Sequence, residues 1–183
     1  SMEGKNFDEA FDVYRRIEGT FEAPLFMTAD APASRLNLVD GMPAQNGYAT
    51  VPFVVDVPRL AWSGGTSATP FRASLWGHGL LGDQSEVNGS LVRRMSATYN
   101  VAYCAANWIG LAEEDVGNAI AILQDLSRFP SLADRLQQGF LNFLFLGRLM
   151  RHPNGFVSDP AFQATNSVAT NPNKTYNWNM GDL

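Results

Sequence analysis

The chain has 183 residues, 45% of them hydrophobic, which is enough for one domain with a real core and short for two. Charged residues make up 17%, the net charge is -5, and no Lys/Arg cluster exceeds Arg15-Arg16 or Arg93-Arg94, so nucleic acid is not an expected partner. The single cysteine, Cys104, excludes an intrachain disulfide and reads as a small buried hydrophobe. No apolar run reaches the ~18 residues of a membrane span. The weakly charged, Asn-rich composition leans towards a bacterial exported protein, secreted or periplasmic, and Ser1-Met2 reads as a cloning scar that leaves room for a lost leader.

Apolar side chains at Phe7, Ala10, Phe11, Tyr14 and Ile17 follow a helical period that Gly19 stops, so a helical lead-in is expected over residues 1–18. Residues 19–70 read as edge strands, Gly19 to Met27 and Ala49 to Val57, joined by a Pro/Gly/Asn-rich connection. Pro24, Pro52 and Pro58 would keep them at a sheet edge. From 71 to 152 strands and helices alternate. Phe71 to Trp76 and Val101 to Ala106 are the strands. Ser85 to Tyr99 is a helix with Val87, Leu91, Val92, Met95 and Tyr99 on one face. Residues 113–128 form a second, using Val116, Ala119, Ile120 and Leu123, with Glu113, Glu114 and Asp115 in its first turn. A third starts at the capping box Ser131-Leu132-Ala133-Asp134 and runs to Arg151 before Pro153. Residues 153–183 read as a surface loop. The pattern predicts an α/β fold with a mainly parallel sheet flanked by helices, a single domain portion whose sheet is incomplete in this chain.

One segment carries chemistry: Leu75-Trp76-Gly77-His78-Gly79-Leu80-Leu81-Gly82-Asp83, at the carboxyl end of a strand and just before a helix. Ligands of open parallel sheets bind there. Three glycines in six residues signal positive φ or a close backbone approach. Gly77-His78-Gly79-Leu80-Leu81-Gly82 resembles the His-Gly-x oxyanion loop of α/β-hydrolase lipases and esterases, in a setting that extends over roughly residues 50–150. The resemblance implies that the backbone N–H of Leu80 donates to the tetrahedral intermediate, with a second donor next to the nucleophile. His78 and Gly79 complete the implied catalytic set. Gly77 and Gly82 shape the loop, and Trp76, Leu81 and Trp108 would line the acyl pocket. His78 reads as a brace between loops rather than a general base.

The departures from that family are as informative. No Gly-x-Ser-x-Gly elbow exists; the nearest imitation, Ala61-Trp62-Ser63-Gly64-Gly65, is followed by Thr66-Ser67-Ala68-Thr69-Pro70, which cannot be the helix an elbow requires. His152, beside Pro153, suits a helix terminus. The nucleophile, acid and His are therefore expected beyond Leu183, on a complementing C-terminal chain or segment, and Thr175 to Leu183 would fit the approach to the nucleophile strand. The expected substrate is a small ester, or an amide, and no cofactor or metal is expected.

Two other readings stay open. Gly77, Gly79 and Gly82 satisfy Gly-x-Gly-x-x-Gly, the dinucleotide-binding pattern, although the second strand ends in Ala105-Ala106-Asn107 without the usual acid. A binding module without chemistry would use the same glycines for close packing.

Overall fold

A computed structural model describes residues 2–6, 12–61 and 71–162. They form an α/β unit with a mixed five-stranded sheet and, among these residues, three α-helices. The strands are β1 (Met2–Asn6), β2 (Val13–Pro24), β5 (Tyr48–Pro58), β6 (Arg72–Trp76) and β7 (Val101–Ala106), in spatial order β1-β2-β5-β7-β6. A separate two-stranded hairpin, β3 (Leu38–Val39) and β4 (Met42–Pro43), turns at Asp40 and Gly41, both at positive φ as a primed turn demands.

The helical lead-in expected over 1–18 is wrong for the described residues, where β1 and β2 stand instead; residues 7–11 lie outside the description. Val13 and Ile17 are both fully buried, and a spacing of four satisfies a strand as well as a helix. Continued alternation through Phe21 and Ala23 selects the strand. The sheet is also not mainly parallel. β1/β2, β2/β5 and β5/β7 are antiparallel, and the one parallel pair among the described residues is β6/β7.

Nor does proline place β5 at an edge. β5 lies between β2 and β7, yet its contact with β7 covers Phe53 to Asp56 only, so Pro52 and Pro58 fall just outside the doubly paired stretch. A residue without an N–H is tolerated where one neighbour is missing.

β5 alternates between two layers. Phe53 and Val55 join Ile17, Phe21, Leu146 and Met150 in the larger core under α3 (Phe129–Arg151). Val54 faces the other way, onto Val87, Val92 and Ala105 beneath α1 (Ser90–Tyr99). The expected helix faces are rotated. On α1 the buried residues are Val92 and Ser96, while Leu91 and Tyr99 are exposed. On α2 (Val116–Gln124) Asn118 and Ile122 are buried, and Ile120 and Leu123 face outward. Each helix follows a 3₁₀ turn, Gln84–Asn88 and Glu113–Asp115, whose three-residue period breaks the phase read along the sequence.

α3 begins two residues before the expected capping box and carries Pro130 in its first turn. Ser131 is not its cap: its hydroxyl donates to the Arg128 carbonyl, and Asp134 accepts the Leu36 N–H at 3.1 Å. Beyond Pro153 the chain is not wholly a surface loop. Phe156 and Phe162 are fully buried, stacked 4.4 Å apart, with Phe156 4.8 Å from Phe53. Such pairs contribute about 0.5–1.5 kcal/mol beyond their burial. Residues 163–183, including Trp178 and the expected approach strand, and residues 62–70, including Trp62 and Ser63, lie outside the description.

Candidate functional site

β6 runs parallel to β7 from Arg72↔Val101 to Trp76↔Ala105, and a second parallel contact, Gly82↔Ala112, resumes beyond it. The residues between, Gly77 to Leu81, bulge from the carboxyl end of the parallel pair. Two bonds close the far side of the bulge: Leu81 N–H donates to the Leu111 carbonyl at 2.8 Å, and Glu113 N–H to the Gly82 carbonyl at 2.8 Å.

The glycines serve close approach and not positive φ. The left-handed residue of the loop is Leu81, at φ 57°. A Cβ on Gly77 would meet the Trp108 ring at 3.0 Å, and one on Gly82 would overlap the Glu86 carboxylate. Gly79 is looser, its nearest such contact being 3.6 Å.

His78 is buried with both ring nitrogens engaged. Its Nε2 accepts the Trp108 N–H at 2.8 Å, and its Nδ1, facing the Gly79 carbonyl at 2.7 Å, must donate. The Gly79 carbonyl also accepts the Gly82 N–H at 3.0 Å. That carbonyl shares a planar trans peptide with the Leu80 N–H, which therefore points the opposite way. Among the described residues the Leu80 N–H meets no acceptor, and Leu80 is 76% exposed. The bend thus fixes one backbone donor and leaves it open to anything negative placed before it.

The helical side of the bend is already occupied. Asp83 accepts the Ser85 N–H at 2.6 Å, and the Ser85 hydroxyl, followed by that N–H, lowers its carboxyl below the ordinary value. Asn107 Oδ1 accepts the Gln84 N–H at 2.9 Å, and Glu86 Oε2 the Gly79 N–H at 2.9 Å.

The expected pocket-lining residues do not converge. Trp76 packs on the α1 face, edge-on to Tyr103 at 5.5 Å, whereas Trp108 packs against Phe140 and Phe143 of α3, each at 5.3 Å. Leu81 is half-buried and belongs to the bond with Leu111. A cavity of about 350 Å³ opens beside the loop after β7, lined by Asn107, Ile109, Asn142, Glu114 and Asp30, and Leu80 is not among its walls. His152 is exposed at the end of α3, where its Nδ1 accepts the Asn154 N–H at 3.1 Å. Cys104 is no nucleophile: burial pushes its thiol far above the ordinary value.

The loop after β7 has a support the sequence reading missed. Asp115, fully buried, accepts the Gly110 N–H at 2.6 Å and the Ala112 N–H at 3.2 Å, and takes Arg135 Nε at 2.6 Å. Arg135, itself buried, reaches Glu114 at 3.0 Å. The acidic run 113–115 reads as an ordinary helix start, and nothing local announces its partner twenty residues on.

Among the described residues no group of His, Cys, Asp or Glu is arranged to hold a metal ion, and no helix is long and apolar enough to cross a membrane. No family model matches this chain, and searches of curated proteins and of solved structures returned no match.

Proposed function

We propose that this chain is the N-terminal part of an α/β-hydrolase-type serine hydrolase acting on carboxylic esters, or on amides. It supplies the Leu80 N–H to the oxyanion hole, and a following or partner polypeptide supplies the nucleophile, acid and His. The observation that carries this reading is the open Leu80 N–H, held in direction by the twice-bonded Gly79 carbonyl. Its setting supports it as well, since the loop leaves the carboxyl end of a parallel strand and leads into a helix, as the first oxyanion donor of such hydrolases does. A tetrahedral oxyanion formed by attack of the serine on the acyl carbon would gather its charge where this donor waits; its collapse would expel the alcohol or amine, and water would then hydrolyse the acyl-enzyme to the free acid.

The outer edge of β6 favours a complementing polypeptide. Among the described residues β6 pairs with β7 alone, and an apolar groove of about 750 Å³ runs along it, between Ala73 and Leu75 of β6 and Phe143, Leu144, Gly147 and Met150 of α3. A further strand laid parallel to β6 would bring its carboxyl end beside Gly77 to Leu80.

The dinucleotide reading meets an obstacle at the helix start. A pyrophosphate needs free N–H groups there, and those of Gln84, Ser85 and Glu86 are bonded to Asn107, Asp83 and the Asp83 carbonyl.

Two substitutions at Leu80 test the proposal in the complete enzyme, this chain together with the polypeptide that bears the serine. Leu80→Pro removes the N–H and should lower kcat on p-nitrophenyl butyrate about 10²- to 10³-fold. Leu80→Ala keeps the N–H and should leave kcat within about two-fold, because the role needs no side chain. Equal turnover in both variants, or no labelling of the wild-type enzyme by a fluorophosphonate, overturns the assignment.

A further inference from the structure

Gly79 is pinned at both ends, and its two pins differ. Its carbonyl is held by His78 and Gly82, while its N–H is held by a charged side chain seven residues on, the Glu86 carboxylate, at 2.9 Å. That carboxylate lies over a cradle of glycine backbone. A Cβ on Gly79 would touch its two oxygens at 3.6 and 3.7 Å, and any side chain on Gly82 would expel it. Glu86 is delivered there by the turn Gln84–Asn88, which Asp83 caps and Asn107 anchors. A glycine has the widest choice of φ and ψ, so a residue bonded at one end only would swing the following peptide.

Resting on the hydrolase reading above, we infer that Glu86 is the positioning residue of the oxyanion loop. By accepting the Gly79 N–H it fixes the backbone angles of Gly79, and so the direction of the next donor, Leu80 N–H. It has no part in proton transfer. Its negative charge is a burden beside a developing oxyanion, and the acceptor oxygen is what the loop uses. Gly82 is glycine because the seat must stay empty of a side chain.

The acceptor and the charge separate in two variants of the complete enzyme. Glu86→Ala should lower kcat on p-nitrophenyl butyrate about 10-fold or more with KM within about two-fold, since misplacing a catalytic group by an ångström costs up to about 10² in rate. Glu86→Gln, which keeps an acceptor oxygen and drops the charge, should turn over at or above the wild-type rate. Gly82→Ala, with Glu86 intact but unseated, should behave like Glu86→Ala. Amide hydrogen exchange at Gly79, measured on the same proteins, should be slow in the wild type and Glu86→Gln and fast in Glu86→Ala. A Glu86→Gln variant as slow as Glu86→Ala would make Glu86 a chemical participant and overturn the inference. So would unchanged turnover in Glu86→Ala, or Gly79 exchange that no variant alters. Absence of ester turnover in the wild type removes the hydrolase reading and the positioning role with it, and the Gly79 exchange then shows whether the Glu86 bond exists regardless.

Discussion

Gly139 lets α3 press its backbone against Ile109: a Cβ at 139 would lie 2.6 Å from the Ile109 carbonyl oxygen and 3.0 Å from the Trp108 ring. The helix thereby sets the height of the loop after β7, whose Trp108 N–H holds His78. Gly110 on the same loop, at φ 95°, approaches α3 again, with its added Cβ 2.7 Å from the Leu136 nitrogen. Replacing Gly139 with Ala should therefore cost about 1–3 kcal/mol through overpacking, although Ala is the better helix former. Urea unfolding midpoints check this, and an unchanged or raised midpoint would mean that the loop yields freely.

Removing the His78 ring breaks both of its bonds at once. His78→Ala leaves the half-buried Trp108 N–H without its acceptor and the Gly79 carbonyl with the Gly82 bond alone. A loss of about 1–3 kcal/mol in stability is expected from the orphaned donor. In the complete enzyme kcat should fall by about 10² or more, because the Leu80 donor loses its fixed direction. His78→Ala turnover equal to wild type would show that the bend holds its shape unaided.

Breaking the Arg135–Asp115 pair from one side should cost far more than breaking an exposed ion pair, since both side chains are almost fully buried. Arg135→Leu strands the Asp115 carboxylate and should cost about 3–5 kcal/mol. Adding Asp115→Asn removes the stranded charge while keeping an acceptor for the Gly110 N–H, so the double variant should recover part of that loss. Thermal or urea unfolding of the two variants decides, and a double variant less stable than Arg135→Leu contradicts the argument.

Asp56 gives the fold a pH signature of defined sign. Burial raises its carboxyl above the ordinary value near 3.8, and the bond to Arg16, Nε to Oδ1 at 2.8 Å, offsets part of that rise. A raised native value means that the folded state holds the proton more tightly than the unfolded state. The associated stability is full below the ordinary value and is lost as pH rises through the raised one. Relative to wild type, Asp56→Asn should therefore gain in stability as pH rises from the ordinary carboxyl value through the raised one. Unfolding midpoints of the two proteins across that range test it, and a gap moving the other way refutes the sign.

What the sequence made legible is the local part. β7 is read residue for residue over Val101 to Ala106, because a continuous apolar run flanked by polar residues has few alternatives. The bend after β6 announces itself through its glycines and its place between strand and helix. β2 is misread because Phe7, Ala10, Phe11, Tyr14 and Ile17 are spaced like one helix face, whereas Val13, off that face, is the residue buried together with Ile17. The helix faces are misread because 3₁₀ turns reset the phase. Glu86, Asp115, Arg135 and Gln138 are invisible for a different reason. Charged and polar residues on helical segments read as solvated, and only the folded chain brings Gln138 of α3 to the Phe26 N–H at 2.8 Å or Glu86 to a glycine amide.

The prolines that bracket β5 also flank the narrowest joint of the sheet. Among the described residues, the β1-β2-β5 meander and the β6/β7 pair are stitched by a seam running only from Phe53 to Asp56. Parting that seam breaks no ladder inside either half, but it also has to free α3, whose Gln138 bonds the Pro24 carbonyl and the Phe26 N–H at the end of β2. Amides of β7 in this seam should thus report the joint opening of both halves, and the two site loops, tied to each other through His78, should move as one body when it occurs.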